Sequence, residues 1–335
     1  MMNVVFLNQF ERVAIQGGQE ERAHVFIGEQ QGIWNAGWRS ADASETSEED
    51  VWYEGMSWEE LLAAFRHGVA GKMKQGFRPL IDGMLEETPF WERRPALPQL
   101  LQCYADMQEA GETVDKLRQW RRAKASAEKK SAYLIATNRE LQMLAVFLPR
   151  TIEELLEIPG FGKAKADKYG NELIDELKDE ERQRKFPLAG WVPEAVSAEQ
   201  LSVWLFGLKE EKHGKALAAV REKRALLYGI RDGRTLEQLE SALNCPRRAL
   251  VERIEKLDEE GYDVLSVVNQ ELSGLSEEEV RQIESALGEL GDKYLKPLLR
   301  KVYGDVRTNE QETERQYVKL RMARIRFRRT SRTAI

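Results

Sequence analysis

A mainly α, multi-domain fold is predicted for this 335-residue chain: a small N-terminal α+β domain, a central helical bundle and a C-terminal helical region containing a helix-turn-helix. Three observations predict it. Runs of β-type residues are confined to residues 1–56. Beyond Pro98, apolar residues recur at helical spacing between capping signals. The composition, 42% hydrophobic and 32% charged, is that of a soluble, helix-leaning chain. This length allows two or three domains, and the signals divide it into residues 1–110, a bundle at 115–182, a linker at 183–197, a helical region at 198–305 and a basic tail at 306–335.

The N-terminal strands are read from Val4-Val5-Phe6-Leu7, Ala23-His24-Val25-Phe26-Ile27 and the run from Gly32 to Arg39. Gly17-Gly18, the turn from Gly28 to Gly32 and an acidic loop from Asp42 to Asp50 separate them. Ser57-Trp58-Glu59-Glu60 is a capping box opening a helix through Leu61, Leu62 and Phe65. Trp34, Trp38, Trp52 and Trp58 fill a small core or form a base-stacking platform. Gly37-Trp38-Arg39 is similar to a signature of small DNA-end-binding domains rich in those three residues. Pro89 to Pro98 is a connector.

Three helix boundaries follow. Thr137-Asn138-Arg139-Glu140 caps a helix whose Leu141, Leu144, Ala145 and Leu148 share a face, and Pro149 closes it. Thr151-Ile152-Glu153-Glu154 caps the next, with Leu155, Leu156 and Ile158. Gly160-Phe161-Gly162 then turns the chain into a helix presenting Ala166, Tyr169, Leu173 and Leu177. Together with the Leu-Arg-x-Trp-Arg opening at Leu117 to Arg121, Leu148-Pro149, and Ile158-Pro159-Gly160-Phe161-Gly162, these signals make residues 117–177 resemble the HRDC domain of RecQ-type helicases and ribonuclease D. The resemblance implies a five-helix bundle that assists binding of single strands or unusual DNA structures, without catalysis.

Gly160 and Gly162 permit a tight turn with exposed amides ahead of a helix N-terminus, where the backbone carries partial positive charge. Lys163, Lys165 and Lys168 follow, and Arg118, Arg121, Arg122, Lys124, Lys129 and Lys130 form a basic stretch nearby in sequence. The expectation is a dock for backbone phosphates; the alternative is a purely structural turn. A nucleotide site is not expected. Walker A needs Gly-Lys followed by Ser or Thr, whereas Ala164, Met73 and Ala216 follow the Gly-Lys pairs here.

Lys185 to Pro193 reads as a linker whose Trp191 offers a docking side chain. Ala216 to Gly229 forms one helix, Thr235-Leu236-Glu237-Gln238 caps a second, and Asn244-Cys245 turns into a third led by Pro246. That third helix buries Leu250, Ile254 and Leu257 and displays Arg247, Arg248 and Arg253. Residues 215–305 resemble the helix-turn-helix module that follows HRDC domains in some bacterial RecQ-like helicases. Arg247 and Arg248 would meet a groove or phosphates, yet Glu252, Glu255, Asp258, Glu259 and Glu260 repel DNA, and docking onto protein stays open. From Arg315 to Arg332 eight Lys or Arg occur without an acid. Arg324, Arg326, Arg328 and Arg329 alternate there with Val318, Leu320, Met322, Ile325 and Phe327. A basic interaction arm is the preferred reading over a docked strand or helix.

The formal charge is −6, with base gathered in segments, which suits local contact with a polyanion. No apolar run approaches the roughly 18 residues that span a bilayer, and no signal peptide is expected. Two cysteines and three histidines, far apart, predict neither a metal site nor a cofactor. No nucleophile elbow or helicase motif is present, and residues 1–115 are too short for an exonuclease fold, so catalysis is not expected. The expected function is a cytoplasmic, non-catalytic nucleic-acid-binding protein, compatible with the nucleoid and favouring DNA over RNA, single-stranded or branched. The alternatives are an adaptor recruiting a helicase or repair protein and a helix-turn-helix transcriptional regulator.

Overall fold

Residues 2–12, 21–41, 49–82, 95–304 and 309–333 are described by the computed structural model. The Gly17-Gly18 turn, residues 42–48 of the acidic loop and residues 89–94 of the connector lie outside them. The N-terminal strands β1 (Asn3–Arg12), β2 (Glu21–Gln30), β3 (Ile33–Ser40) and β4 (Asp50–Gly55) are followed by α1 (Trp58–Lys74) and the two-residue β5 (Arg78–Pro79). They form an antiparallel sheet in the order β4-β3-β2-β1-β5. Gln31 and Gly32, both at positive φ, close the tight β2–β3 hairpin. Ser57 caps α1 by accepting from the Glu60 amide at 3.3 Å. The tryptophans divide: Trp38 is buried in the core with Phe10, Val25, Met73 and Phe77 and stacks on Trp52, whereas Trp58 is exposed and meets Trp34 edge-on.

The bundle comprises α2 (Leu97–Asp106), α3 (Gly111–Ala127), α4 (Ala132–Ile135), α5 (Asn138–Phe147), α6 (Ile152–Leu156) and α7 (Lys163–Leu177). One apolar core runs through it, from Leu100 to Leu201. The expected boundary at residue 110 therefore falls inside a core, because Leu100, Leu101, Cys103 and Ala105 of α2 are buried there. The expected linker is also part of the bundle. A 3-10 turn (Leu188–Gly190) and α8 (Val192–Ala195) bury Leu188 and Val192 completely, and Trp191 packs edge-on against Tyr104 at 5.0 Å. Burying those three side chains outweighs the freedom a linker would keep.

α9 (Ala198–Arg231) is far longer than the expected helix from Ala216 to Gly229. Its first turns supply Leu201 to the bundle core and Phe206 to the sheet core. The chain divides into two compact units, Met1–Leu217 and Ala218–Ile335, with the division inside α9. The second unit contains α10 (Leu236–Leu243), α11 (Arg247–Glu259), α12 (Leu265–Leu272), α13 (Glu277–Leu290), α14 (Leu295–Tyr303) and α15 (Glu310–Thr333). The Thr235–Gln238 capping box opens α10, and Asn244, at φ 45°, turns the chain toward α11.

The preferred reading of the tail is corrected. Residues 310–333 form α15, which buries Val318, Leu320, Met322, Ala323 and Ile325 in the core of the second unit. Too much apolar surface is covered there for an extended arm to be the stable state.

Candidate nucleic-acid interface

The bend at Pro159-Gly160-Phe161-Gly162 is built around a buried carboxylate. Gly160 has φ +96°, and a Cβ at this position would overlap the Glu140 side chain. Glycine is required here for both reasons. Phe161 is buried, and its amide donates to the Ile158 carbonyl at 3.0 Å. Gly162 is extended and caps α7, its carbonyl accepting from the amides of Lys165 and Ala166. The amides of Lys163 and Ala164 are left as the helix's unsatisfied leading donors.

Glu140 is the third residue of the α5 capping box. Its carboxylate accepts from the Thr137 amide at 2.6 Å and from Lys165 Nζ at 2.8 and 3.0 Å. The Lys165 ammonium also lies 5.5 Å from the centre of the Phe161 ring. Lys168 donates to Glu128 at 2.6 Å, Lys130 to the same oxygen at 2.9 Å, and the Tyr169 hydroxyl at 3.1 Å. Lys168, then Lys130, hold the Glu128 carboxyl down at about 2, against burial and with help from Tyr169, and the Lys168 ammonium is pushed up in turn. The expected cradle of three lysines is thus corrected: Lys165 and Lys168 neutralise carboxylates of the bundle, and Lys163 alone of the three stays exposed without a carboxylate partner among the described residues.

The basic stretch of α3 divides similarly. Arg118 pairs with Asp115 at 2.8 Å and Lys124 with Glu172 at 2.6 Å. Arg121 donates to the Ala136 carbonyl and to Asn138 Oδ1, both at 2.9 Å, which ties α3 to the α4–α5 junction. Burial, then the charges of Arg118 and Arg122, pull the Arg121 guanidinium below its usual range. Arg122, Lys129 and Arg139 are exposed and carry no carboxylate partner among the described residues.

Between Lys129 and Arg139 lies a feature that sequence reasoning missed. α4 is one turn long and buries Ile135, leaving Tyr133 66% and Leu134 54% exposed. Its signal was present. Ser131 and Thr137 bracket a four-residue helix, too short to bury all of Ala132-Tyr133-Leu134-Ile135. An exposed aromatic ring flanked in sequence by cations without a carboxylate partner among the described residues can stack a base while such cations meet phosphates.

The expected contacts of the second unit are internally neutralised. Arg247 is held by Glu240 at 3.2 Å and Glu271 at 2.8 Å, and Arg253 by Glu222 at 3.1 Å. Arg248 is more exposed and meets Glu252 at 3.4 Å. On α15, Arg324 is buried against Glu255, Arg326 meets Glu284 at 2.8 Å, Arg328 meets Glu259 and Asp292, and Arg329 meets Asp258 at 2.5 Å. Of the acids expected to repel DNA, Glu252, Glu255, Asp258 and Glu259 meet arginines of α15 instead, and Glu260 meets Lys223 of α9. Glu252, Glu255 and Glu259 recur at helical spacing, as do Arg321, Arg324 and Arg328 opposite them.

The HRDC domain family model matches residues 111–177, six residues earlier than the expected start at 117. Over 54 residues the chain is 46% identical to the ATP-dependent DNA helicase Q-like 4B of Arabidopsis thaliana, a stretch amounting to 16% of this chain and 5% of that helicase. The match thus spans a small part of both proteins. No solved structure matches.

Proposed function

With an HRDC domain at residues 111–177, we propose that this protein binds single-stranded nucleic acid without catalysing a reaction on it, and that DNA is the preferred polymer. The contact we assign uses Tyr133 and Leu134 of α4 together with Arg122, Lys129, Arg139 and Lys163 of the same bundle. The observation that carries this reading is the exposure of Tyr133 and Leu134, flanked in sequence by Lys129 and Arg139, which have no carboxylate partner among the described residues. Bases stack on the ring whatever their sequence, and phosphates meet the cations, so selectivity is for unpaired strands rather than for a base order.

Fluorescence anisotropy with a labelled oligothymidylate tests it. Stacking on an aromatic is worth about 1–3 kcal/mol by alanine substitution, so Tyr133→Ala should weaken binding roughly tenfold or more without altering thermal stability. If three phosphates are neutralised, affinity should fall roughly 20-fold between about 50 and 200 mM salt, with a log–log slope near −2. A flat salt response, or a Tyr133→Ala variant that binds as the parent does, overturns the proposal.

The same apolar pair also suits a protein partner in a helicase context. Lys129→Glu with Arg139→Glu separates the readings: loss of oligonucleotide binding supports the first, and unchanged oligonucleotide binding supports an adaptor. Sequence-specific regulation through Arg247 and Arg248 ranks behind both, because Arg247 is already engaged by two glutamates.

A further inference from the structure

A second concentration of positive charge lies outside the HRDC domain, where α1 meets the first half of α9. α1 contributes Arg66 and His67, and α9 contributes Lys209, Lys212 and His213, spaced i, i+3, i+4 on one face. The helices approach closely because Gly214 has no side chain: a Cβ there would lie 3.3 Å from His67 Cε1. His67 Nδ1 sits 3.1 Å from the Glu210 carbonyl. Phe206, buried in the sheet core, anchors this part of α9, and Lys209 lies 4.7 Å over its ring.

The local acids are engaged elsewhere. Glu210 takes Lys74 at 2.8 Å and Glu211 takes Lys215 at 2.5 Å. Arg66 and Lys212 are exposed, and neither has a carboxylate partner among the described residues. In a chain of net charge −6, the exposed Arg66 and Lys212 beside two imidazoles call for an anion. We propose that the α1–α9 face is a second nucleic-acid contact, at which Arg66 and Lys212 meet the phosphodiester backbone beside His67 and His213. The proposal extends the reading of the previous section and rests on it. Arg66 stands on α1 and Lys212 on α9, so a polyanion running across both helices can meet both, one phosphate each. Burial, then Lys212, Arg66, Lys209 and His67, lower the pKa of His213, so the positive field of the cluster is felt by the imidazole within it.

The chain has only three histidines, His24, His67 and His213, so the imidazole proton resonances of the full-length protein report on this face directly. Titrating an oligothymidylate should shift the His67 and His213 resonances, leave His24 of β2 unmoved, and raise the pKa of His213 toward its ordinary value as phosphates offset Arg66 and Lys212. Arg66→Ala with Lys212→Ala should reduce the salt slope of oligonucleotide binding by about 1.4, two phosphates at about 0.7 each, while the loss caused by Tyr133→Ala persists. If the oligonucleotide binds in a Tyr133-dependent way but His67 and His213 stay still, this proposal falls and the HRDC contact stands. If it does not bind at all, both fall. Inorganic phosphate at matched phosphate concentration should leave the resonances in place; equal shifts would assign the face to free anions and overturn the backbone contact.

Discussion

Glu140 accepts from the amide of its own helix cap and from Lys165 of α7, beneath a glycine whose backbone only glycine adopts comfortably. These contacts separate two lysines that look equivalent on paper. Lys165→Met leaves a buried carboxylate without its cation and should cost about 2–3 kcal/mol of stability with little effect on oligonucleotide affinity. Lys163→Ala should do the reverse, lowering affinity and leaving the melting temperature in place. Parallel thermal melts and anisotropy titrations decide this, and equal effects of the two variants would refute it. Gly160→Ala meets both a positive φ and the Glu140 side chain, so a loss of about 2 kcal/mol or more is expected in chemical denaturation. Glu128 gives a pH signature. Its folded pKa of about 2 lies below the ordinary 4.5, so its ion pairs stabilise the fold above about pH 4.5, and that stabilisation is lost as pH falls toward 2. A Glu128→Gln variant should melt below the parent at pH 7, and the gap should shrink through that window.

At the scale of elements, capping was legible and charge pairing was not. The boxes at Thr137 and Thr235 are made by residues three apart in sequence, and the structure contains both. α9 runs unbroken through Gly207 and Gly214, well ahead of the expected start at Ala216, although glycine is a weak helix former. Gly214 makes room for His67. In α15 the alternation of apolar and basic residues suggested an arm, yet the arginines that lie opposite α11 find acids 66 to 71 residues away in sequence. Arg324→Met should therefore destabilise the second unit by about 2–4 kcal/mol, since Glu255 is buried and loses its closest guanidinium. Unfolding monitored by circular dichroism tests this, and an unchanged transition would restore the arm. α4 shows the opposite limit. A single turn has no periodicity to reveal which of its side chains stays outside, so Tyr133 emerged only from its exposure in the folded chain.

For the whole molecule, the sequence alone determined the helical class, the small N-terminal sheet, the helix starts and the HRDC signature, because these rest on interactions between near neighbours and on ordered local motifs. It also located where base is concentrated along the chain. Tertiary structure decided which of those charges remain available. Each guanidinium or ammonium pairs with whatever carboxylate folding brings within a few ångströms, and the partners of Lys168 and Arg329 lie 40 and 71 residues away in the chain. Coulomb attraction depends on distance in space, not on separation along the chain.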